Sequence, residues 1–582
     1  MPFTAINTKA VGGTIARSEV LDLLKNLHLF YRPATVRVYK ADGTHQVTTT
    51  LAAIDWLPAG GDWHSEWRYE GGDGSEADAT YNLGTGGLWL NLGDVDPGIW
   101  IVGAQTSLRN TDDTSTSSHT RRLLLRRSDG STPTEIAEDV STGDVGARRS
   151  SFQLFGLANF TSTFDRVELM GRVQPSGTDD VIEDRRWGIR LGSATALSND
   201  YDPGARQESD TNSDLDIAWN RIRLNQYRIE RRPTGQRYKT GADQAIVANT
   251  ETLVTMGAED WDTDTGMAVP SVFPNLVIAQ QPGWYLATAQ VTFEGFDAAS
   301  SYASVSIKKN ASSVVASANA AEVDHFDTVV RAADIVQLDA TDYVSVYATT
   351  GANTDIQASR GTHITLTLLS SNHNVSSDRQ LFAECPPPSQ WPDVANMSSD
   401  DLPVGTLRVI SDIQDRLWHR PVIKCSIADS VEVSTDGTWT DVDLDDADID
   451  FTDLEDTHGL TIFGGGGIRI PWDGLWLVGA RLQFRARDAD GKLRGDDGFR
   501  GARIALGDNM SAGAIITPAM NASGHGWVRE WCEPVIINRR GGQDLKLQAF
   551  CKSTTDAFAA AVVTAANLWA VEIGQGYTRV PR

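Results

Sequence analysis

The chain has 582 residues, of which 40% are hydrophobic and 22% charged, with 52 glycines and 17 tryptophans. That length is too great for one hydrophobic core, and the glycine and tryptophan content points to turn-rich β-structure with large aromatics in sandwich cores. A formal net charge of −26 repels nucleic acid and anionic membranes, and no apolar run approaches the length of a membrane span.

The opening stretch MPFTAINTKAVGG has neither the basic nor the apolar region of a secretory signal. The chain is therefore expected to be made in the cytoplasm without a signal peptide. Ser18 to Phe30 predicts a short amphipathic helix. Val20, Leu23, Leu24 and Leu27 fall at i, i+3, i+4 and i+7, Ser18 is a fair N-cap, and Pro33 stops continuation. Two to three turns are unstable alone, so the apolar face must dock, on its own first domain or on an assembly partner. Residues 1–35 are thus a leader for attachment or assembly.

A segment written three times organises the rest. PGIWIVGAQTSL at 97–108, PGWYLATAQVTF at 282–293 and DGLWLVGARLQF at 473–484 align on Gly98, Gly283 and Gly474. Each glycine is followed by aromatics: Trp100 in the first copy, Trp284 and Tyr285 in the second, Trp476 in the third. The glycines stand 185 and 191 residues apart (283 − 98 and 474 − 283), a spacing for tandem domains and not for a solenoid. Arg32-Pro33, Arg232-Pro233 and Arg420-Pro421 precede the three copies in the same register. DRVELMG at 165–171, DYVSVYA at 342–348 and DLKLQAF at 544–550 follow them. Within DYVSVYA, Tyr343, Ser345 and Tyr347 alternate with Val344, Val346 and Ala348, as a half-buried strand requires. Short runs of this kind between Gly, Asn, Asp and Pro turns predict β-sandwiches at 36–197, 236–371 and 424–577, leaving a short tail at 578–582.

The middle copy resembles the globular head of the complement and tumour necrosis factor superfamily. The likeness rests on AIVANTETLVTM, DWDTDTG, LVIAQQPGWYLATAQVTF, VSIKKN and IVQLDATDYVSVYA, over about 240–370. The resemblance implies three tandem jelly rolls joined by extended connectors, an all-β architecture, and trimeric packing. GTIARSEVLDLLKNLHLFYRP is similar to the leader of bacteriophage minor tail proteins, where such domains are common on fibres. Trimerisation has two forms, three chains stacking equivalent domains or the three sandwiches of one chain closing on each other. The prevalence of closed symmetric oligomers favours a homotrimer of chains.

The connectors are residues 198–235 and 372–423. The first interleaves aromatics and arginines in SDLDIAWNRIRLNQYRIERRP, but its alternation suits a strand and the acidic chain opposes nucleic-acid binding. The second is stiffened by Pro386, Pro387, Pro388 and Pro392.

Reactive chemistry is sparse. Ten histidines form no HExxH, and GxSxG and phosphate-loop patterns are missing. The acidic run from Asp441 to Asp456 offers carboxylates for glycoside hydrolysis, but it reads as a solvated strand edge. Gly464 to Gly467 precedes a strand and reads as a turn. Asp260, Asp262 and Asp264 before Gly266 form a D-x-D-x-D turn that could hold calcium, although the distal glutamate of an EF-hand is missing. No other cofactor is expected. Cys385, Cys425, Cys532 and Cys551 match no zinc pattern and read as reduced, with Cys532 and Cys551 free to face each other across strands.

The expectation is a non-enzymatic virion protein, a minor tail or tail-tip fibre component presenting sandwich surfaces for host attachment. Its partners would be copies of itself, other tail or capsid proteins, and a host surface glycan or protein. A head decoration or capsid fibre protein is the first alternative, and a glycan-degrading tail enzyme the second.

Overall fold

The computed structural model describes strands and their turns within 35–192, 229–371 and 420–575, with gaps at several loops. The predicted helix with Val20, Leu23, Leu24 and Leu27, the landmarks Arg32, Pro33 and Pro421, and most of both connectors lie outside the described residues. No helix among the described residues is long and apolar enough to cross a membrane.

The protein is all-β, built as three jelly rolls. In the first copy the main strands are β1 (Thr35–Lys40), β2 (Gly98–Asn110), β3 (His119–Ser128), β4 (Thr134–Gly143), β5 (Arg149–Phe160), β6 (Arg166–Gln174) and β7 (Asp179–Gly192). The second has β8 (Thr234–Tyr238), β9 (Gly283–Phe293), β10 (Tyr302–Lys309), β11 (Ser313–Ala321), β12 (Thr328–Leu338), β13 (Tyr343–Thr350) and β14 (His363–Ser371). The third has β15 (Val422–Ser426), β16 (Gly474–Arg487), β17 (Phe499–Leu506), β18 (Trp527–Arg539), β19 (Asp544–Lys552) and β20 (Ala560–Gln575).

One topology recurs. The inner sheet runs β1-β7-β2-β5 in the first copy, β8-β14-β9-β12 in the second and β15-β20-β16-β18 in the third. The outer sheet runs β6-β3-β4, β13-β10-β11 and β19-β17. Neighbours are antiparallel throughout, and the chain crosses repeatedly between the two sheets, as a jelly roll does.

The repeated glycines open the central inner strands. Gly98 has φ +148°, and a Cβ there would run into the carbonyl of Gly192 on the neighbouring strand. From that point the side chains alternate between two buried faces. Trp100 and Val102 enter the first copy's own core, as Tyr285 and Ala287 enter the second's. Their neighbours Ile99, Ile101, Trp284 and Leu286 point the other way, into a cluster that also holds Leu475 and Leu477. Such strands are apolar on both faces because both faces are covered.

That second face is where the three copies meet. One apolar cluster joins Phe155, Trp187 and Ile189 of the first copy, Ile335 and Leu369 of the second, and the core of the third, with Trp261 packed against it. β4 packs on β12, β11 on β18, and β18 returns to β5, so the copies close in a ring. Of the two trimeric forms weighed from sequence, these contacts are those of the form within one chain.

Candidate functional site

The seams of this ring carry polar contacts from one copy to the next. The side chain seven residues after each landmark glycine is Gln105, Gln290 or Arg481. Gln290 is buried at the seam between the first two copies. Its Nε2 donates to Glu135 Oε1 at 2.7 Å and to the Gly361 carbonyl at 2.9 Å, while its Oε1 accepts from the Glu138 backbone N–H at 2.9 Å. At the next seam, Arg481 Nη1 donates to the Val315 carbonyl at 3.3 Å. The same repeat position thus reaches from one copy to the outer edge strand of the copy before it.

The first seam gathers acids. Glu135, Glu138 and Asp139 sit on β4, and Arg331 of β12 reaches across the seam toward them. Arg331 Nη2 donates to the Gln153 carbonyl at 2.7 Å and stands 3.5 Å from Asp139. Burial, reinforced by the Glu138 charge, pushes Glu135 up to about 7. Burial pushes Asp139 up to about 6 against the pull of Arg331. Glu138 is raised chiefly by burial, opposed by Arg122 at 2.5 Å, and burial holds His363 below its ordinary value. A cavity of ≈ 20 Å³, room for about one water, lies between Gln290, Arg331, His363 and Phe155.

The second seam is built around Asp334, which is fully buried on β12. Its Oδ2 receives Lys424 Nζ at 3.0 Å and Asn567 Nδ2 at 2.9 Å, both from the third copy. Lys424 Nζ also donates to the Ile335 carbonyl at 2.9 Å, and the Ser370 hydroxyl donates to the Arg420 carbonyl at 2.8 Å.

The repeated landmarks are structural supports. Arg232 is buried and its Nη1 donates to the Leu369 carbonyl at 2.7 Å, while the Pro233 carbonyl accepts from the Leu368 N–H at 2.9 Å. Arg420 is buried, and its guanidinium is lowered to about 10 by desolvation, against the attraction of Glu572. Trp100, Tyr285 and Trp476 are fully buried, and Trp284 is 6% exposed on the shared face. These aromatics are therefore unavailable for stacking on a glycan.

Asp260 pairs with Arg360 at 2.6 Å, Asp262 ends the strand Ala258–Asp262, and Asp264 lies outside the described residues. No group of three metal-ligating side chains occurs among the described residues. In the acidic run, Asp441 pairs with Lys546 at 3.1 Å, and Val442 and Leu444 turn inward. Cys425 and Cys551 are buried. Cys532 and Cys551 do not face each other across a ladder: β18 belongs to the inner sheet and β19 to the outer.

Sequence reasoning missed the seam residues Glu135, Glu138, Asp139, Asp334, Lys424 and Asn567. The available signal was a charge set inside an apolar strand, as Asp334 is in TVVRAADIVQL.

No protein-family model and no curated protein matches the sequence. Solved structures similar to it include murine APRIL at pH 8.5, with 16% identity over 24% of this chain and 98% of that one, at a TM-score of 0.19. The globular domain of zebrafish complement 1qA protein matches with 13% identity over 24% and 99%, at 0.18. Eiger TNF from S. frugiperda matches with 14% identity over 25% and 99%, at 0.19. The fold stands on the strand ladders themselves.

Proposed function

We propose that this chain is a structural protein of a bacteriophage virion, a minor tail or tail-tip fibre component that presents sandwich surfaces for host attachment. The observation that carries the reading is the division of labour in the chain. Behind the leader expected from the sequence at residues 1–35, three sandwiches cover their apolar faces with one another. A unit so closed presents loops and outer sheets to the outside, where recognition residues can vary without disturbing the core. The seam chemistry is that of cohesion, and the reading includes no catalytic step. A head decoration or capsid fibre protein would use the same architecture.

Antibodies to the purified chain, imaged on phage particles by electron microscopy, test the reading. Decoration of the tail tip is expected; decoration of the head favours the alternative, and failure to mark any particle refutes both. Light scattering distinguishes a closed unit of 63.2 kDa from a homotrimer, in which such units associate through surfaces other than the shared face.

A further inference from the structure

The Asp334 cluster holds more than an ion pair. Lys424 on β15 and Asn567 on β20 belong to adjacent strands, with Lys424 opposite Trp569 and Asn567 opposite Ser426, so both side chains stand on one face. Both nitrogens donate to the same oxygen, Oδ2 of Asp334, at 3.0 and 2.9 Å. Two donors sharing one acceptor at hydrogen-bonding distance lie within about 6 Å of each other, and the carboxamide carbon is one bond from Nδ2. The Asp334 side chain is fully buried and Asn567 is 6% exposed, while the Lys424 side chain is 17% exposed, and the Asn567 Oδ1 accepts no hydrogen bond among the described residues. An amine, a carboxamide and a buried carboxylate touching both nitrogens are the components of an amide-forming reaction that needs no other reagent.

We propose that Lys424 and Asn567 become joined by an amide bond, formed within the folded chain with Asp334 as the proton carrier. Asp334 takes a proton from the Lys424 ammonium, and the free amine attacks Cγ of Asn567. The tetrahedral adduct collapses with breakage of the Cγ–Nδ2 bond; Asp334 delivers its proton to the departing nitrogen and then relays the second proton lost by the attacking nitrogen, so that ammonium leaves. Ammonium plus carboxamide give a secondary amide plus an ammonium ion, Asp334 is restored as carboxylate, and nothing is oxidised or reduced. The bond staples the first inner strand of the third sandwich to its last. Because Asp334 comes from the second copy, the staple sets only after the second and third copies have docked. This inference does not depend on where the protein works.

A second trio supplies the contrast. Lys309 Nζ and Asn310 Nδ2 meet Asp342 at 2.8 and 2.7 Å, but at a turn where the Lys309 and Asp342 side chains are 31% and 17% exposed. Water there solvates the ammonium and the carbonyl, and no bond is expected.

The test is the intact mass of the purified, folded full chain, followed by peptide mapping. The expected result is a deficit of about 17 Da, the mass of ammonia, with the Lys424 and Asn567 peptides joined and the Lys309 and Asn310 peptides unmodified. Asp334→Asn and Lys424→Arg should each restore the full mass. A wild-type chain at full mass after prolonged incubation overturns the proposal. So does a deficit that survives Lys424→Arg, which marks an asparagine closing on its own backbone instead. The wild-type measurement decides even where a variant fails to fold.

Discussion

Replacing Gln290 by methionine tests whether the first seam is held by that side chain. The substitution keeps an unbranched chain of similar length and removes three hydrogen bonds, to Glu135, to Gly361 and from Glu138. At about 1 kcal/mol net for each bond, the loss is about 3 kcal/mol, a factor of about 150 in the equilibrium for opening the seam. The figure tends upward, because the Glu138 N–H and the Gly361 carbonyl are left buried without that partner. Hydrogen exchange read by mass spectrometry on peptides spanning 134–143 and 328–338 should show faster exchange in both. Peptides from β17 and β19, which lie in the outer sheet of the third copy, should be unchanged. Protection of 134–143 altered by less than about threefold, some 0.6 kcal/mol, would refute the assignment.

The acids of that seam give a pH dependence with a defined sign. Glu135 and Asp139 are raised in the native state, to about 7 and about 6. Their contribution is fully present below their unfolded values and is lost as pH rises through those native ones. His363, lowered by burial, contributes stability present above its unfolded value and lost as pH falls through its native one. Denaturant melts should therefore show stability falling by about 1 kcal/mol between pH 5.5 and 8, the two carboxyls outweighing His363; a rising profile contradicts the burial of Glu135. Gly103 and Gly479 lie beneath the rings of Trp187 and Trp569, whereas the second copy sets Thr288 against Thr365. Gly103→Ala should cost about 1–3 kcal/mol by overpacking, and Gly103→Thr combined with Trp187→Thr should be milder than Gly103→Thr alone in thermal melts. Asp260→Ala removes a partly exposed ion pair and should shift stability by less than about 1 kcal/mol. Calcium titrated into the wild type tests the D-x-D-x-D turn directly: a saturable rise in melting temperature would mark it as a calcium site, and an unchanged melting temperature would rule that out.

Much of the fold was legible in residue order. The glycine-aromatic segment written three times marks the central strand of each inner sheet, and the alternation in DYVSVYA predicts the buried face of β13. The same pattern held an unread signal. GIWIVGA places Ile99 and Ile101 beside Trp100 and Val102, so one face fills the sandwich and the other needs a second cover. The seam chemistry was less legible. Glu135 and Glu138 in TEIAEDV are written like any solvated strand edge, and nothing in that segment announces that Gln290 of another copy meets them there.

What the sequence by itself determined is therefore local. Period-2 alternation and turn residues set the strands, and hydrophobic burial sets which side of each strand turns inward, because both act over a few residues. What only the tertiary structure decided is the covering of the remaining faces. Asp334, Lys424 and Asn567 are separated by 90 and 143 positions (424 − 334 and 567 − 424), and no spacing rule links them. They meet because three sandwiches with apolar outer faces lower their free energy by closing on one another, and charges carried to the seam must then find partners there.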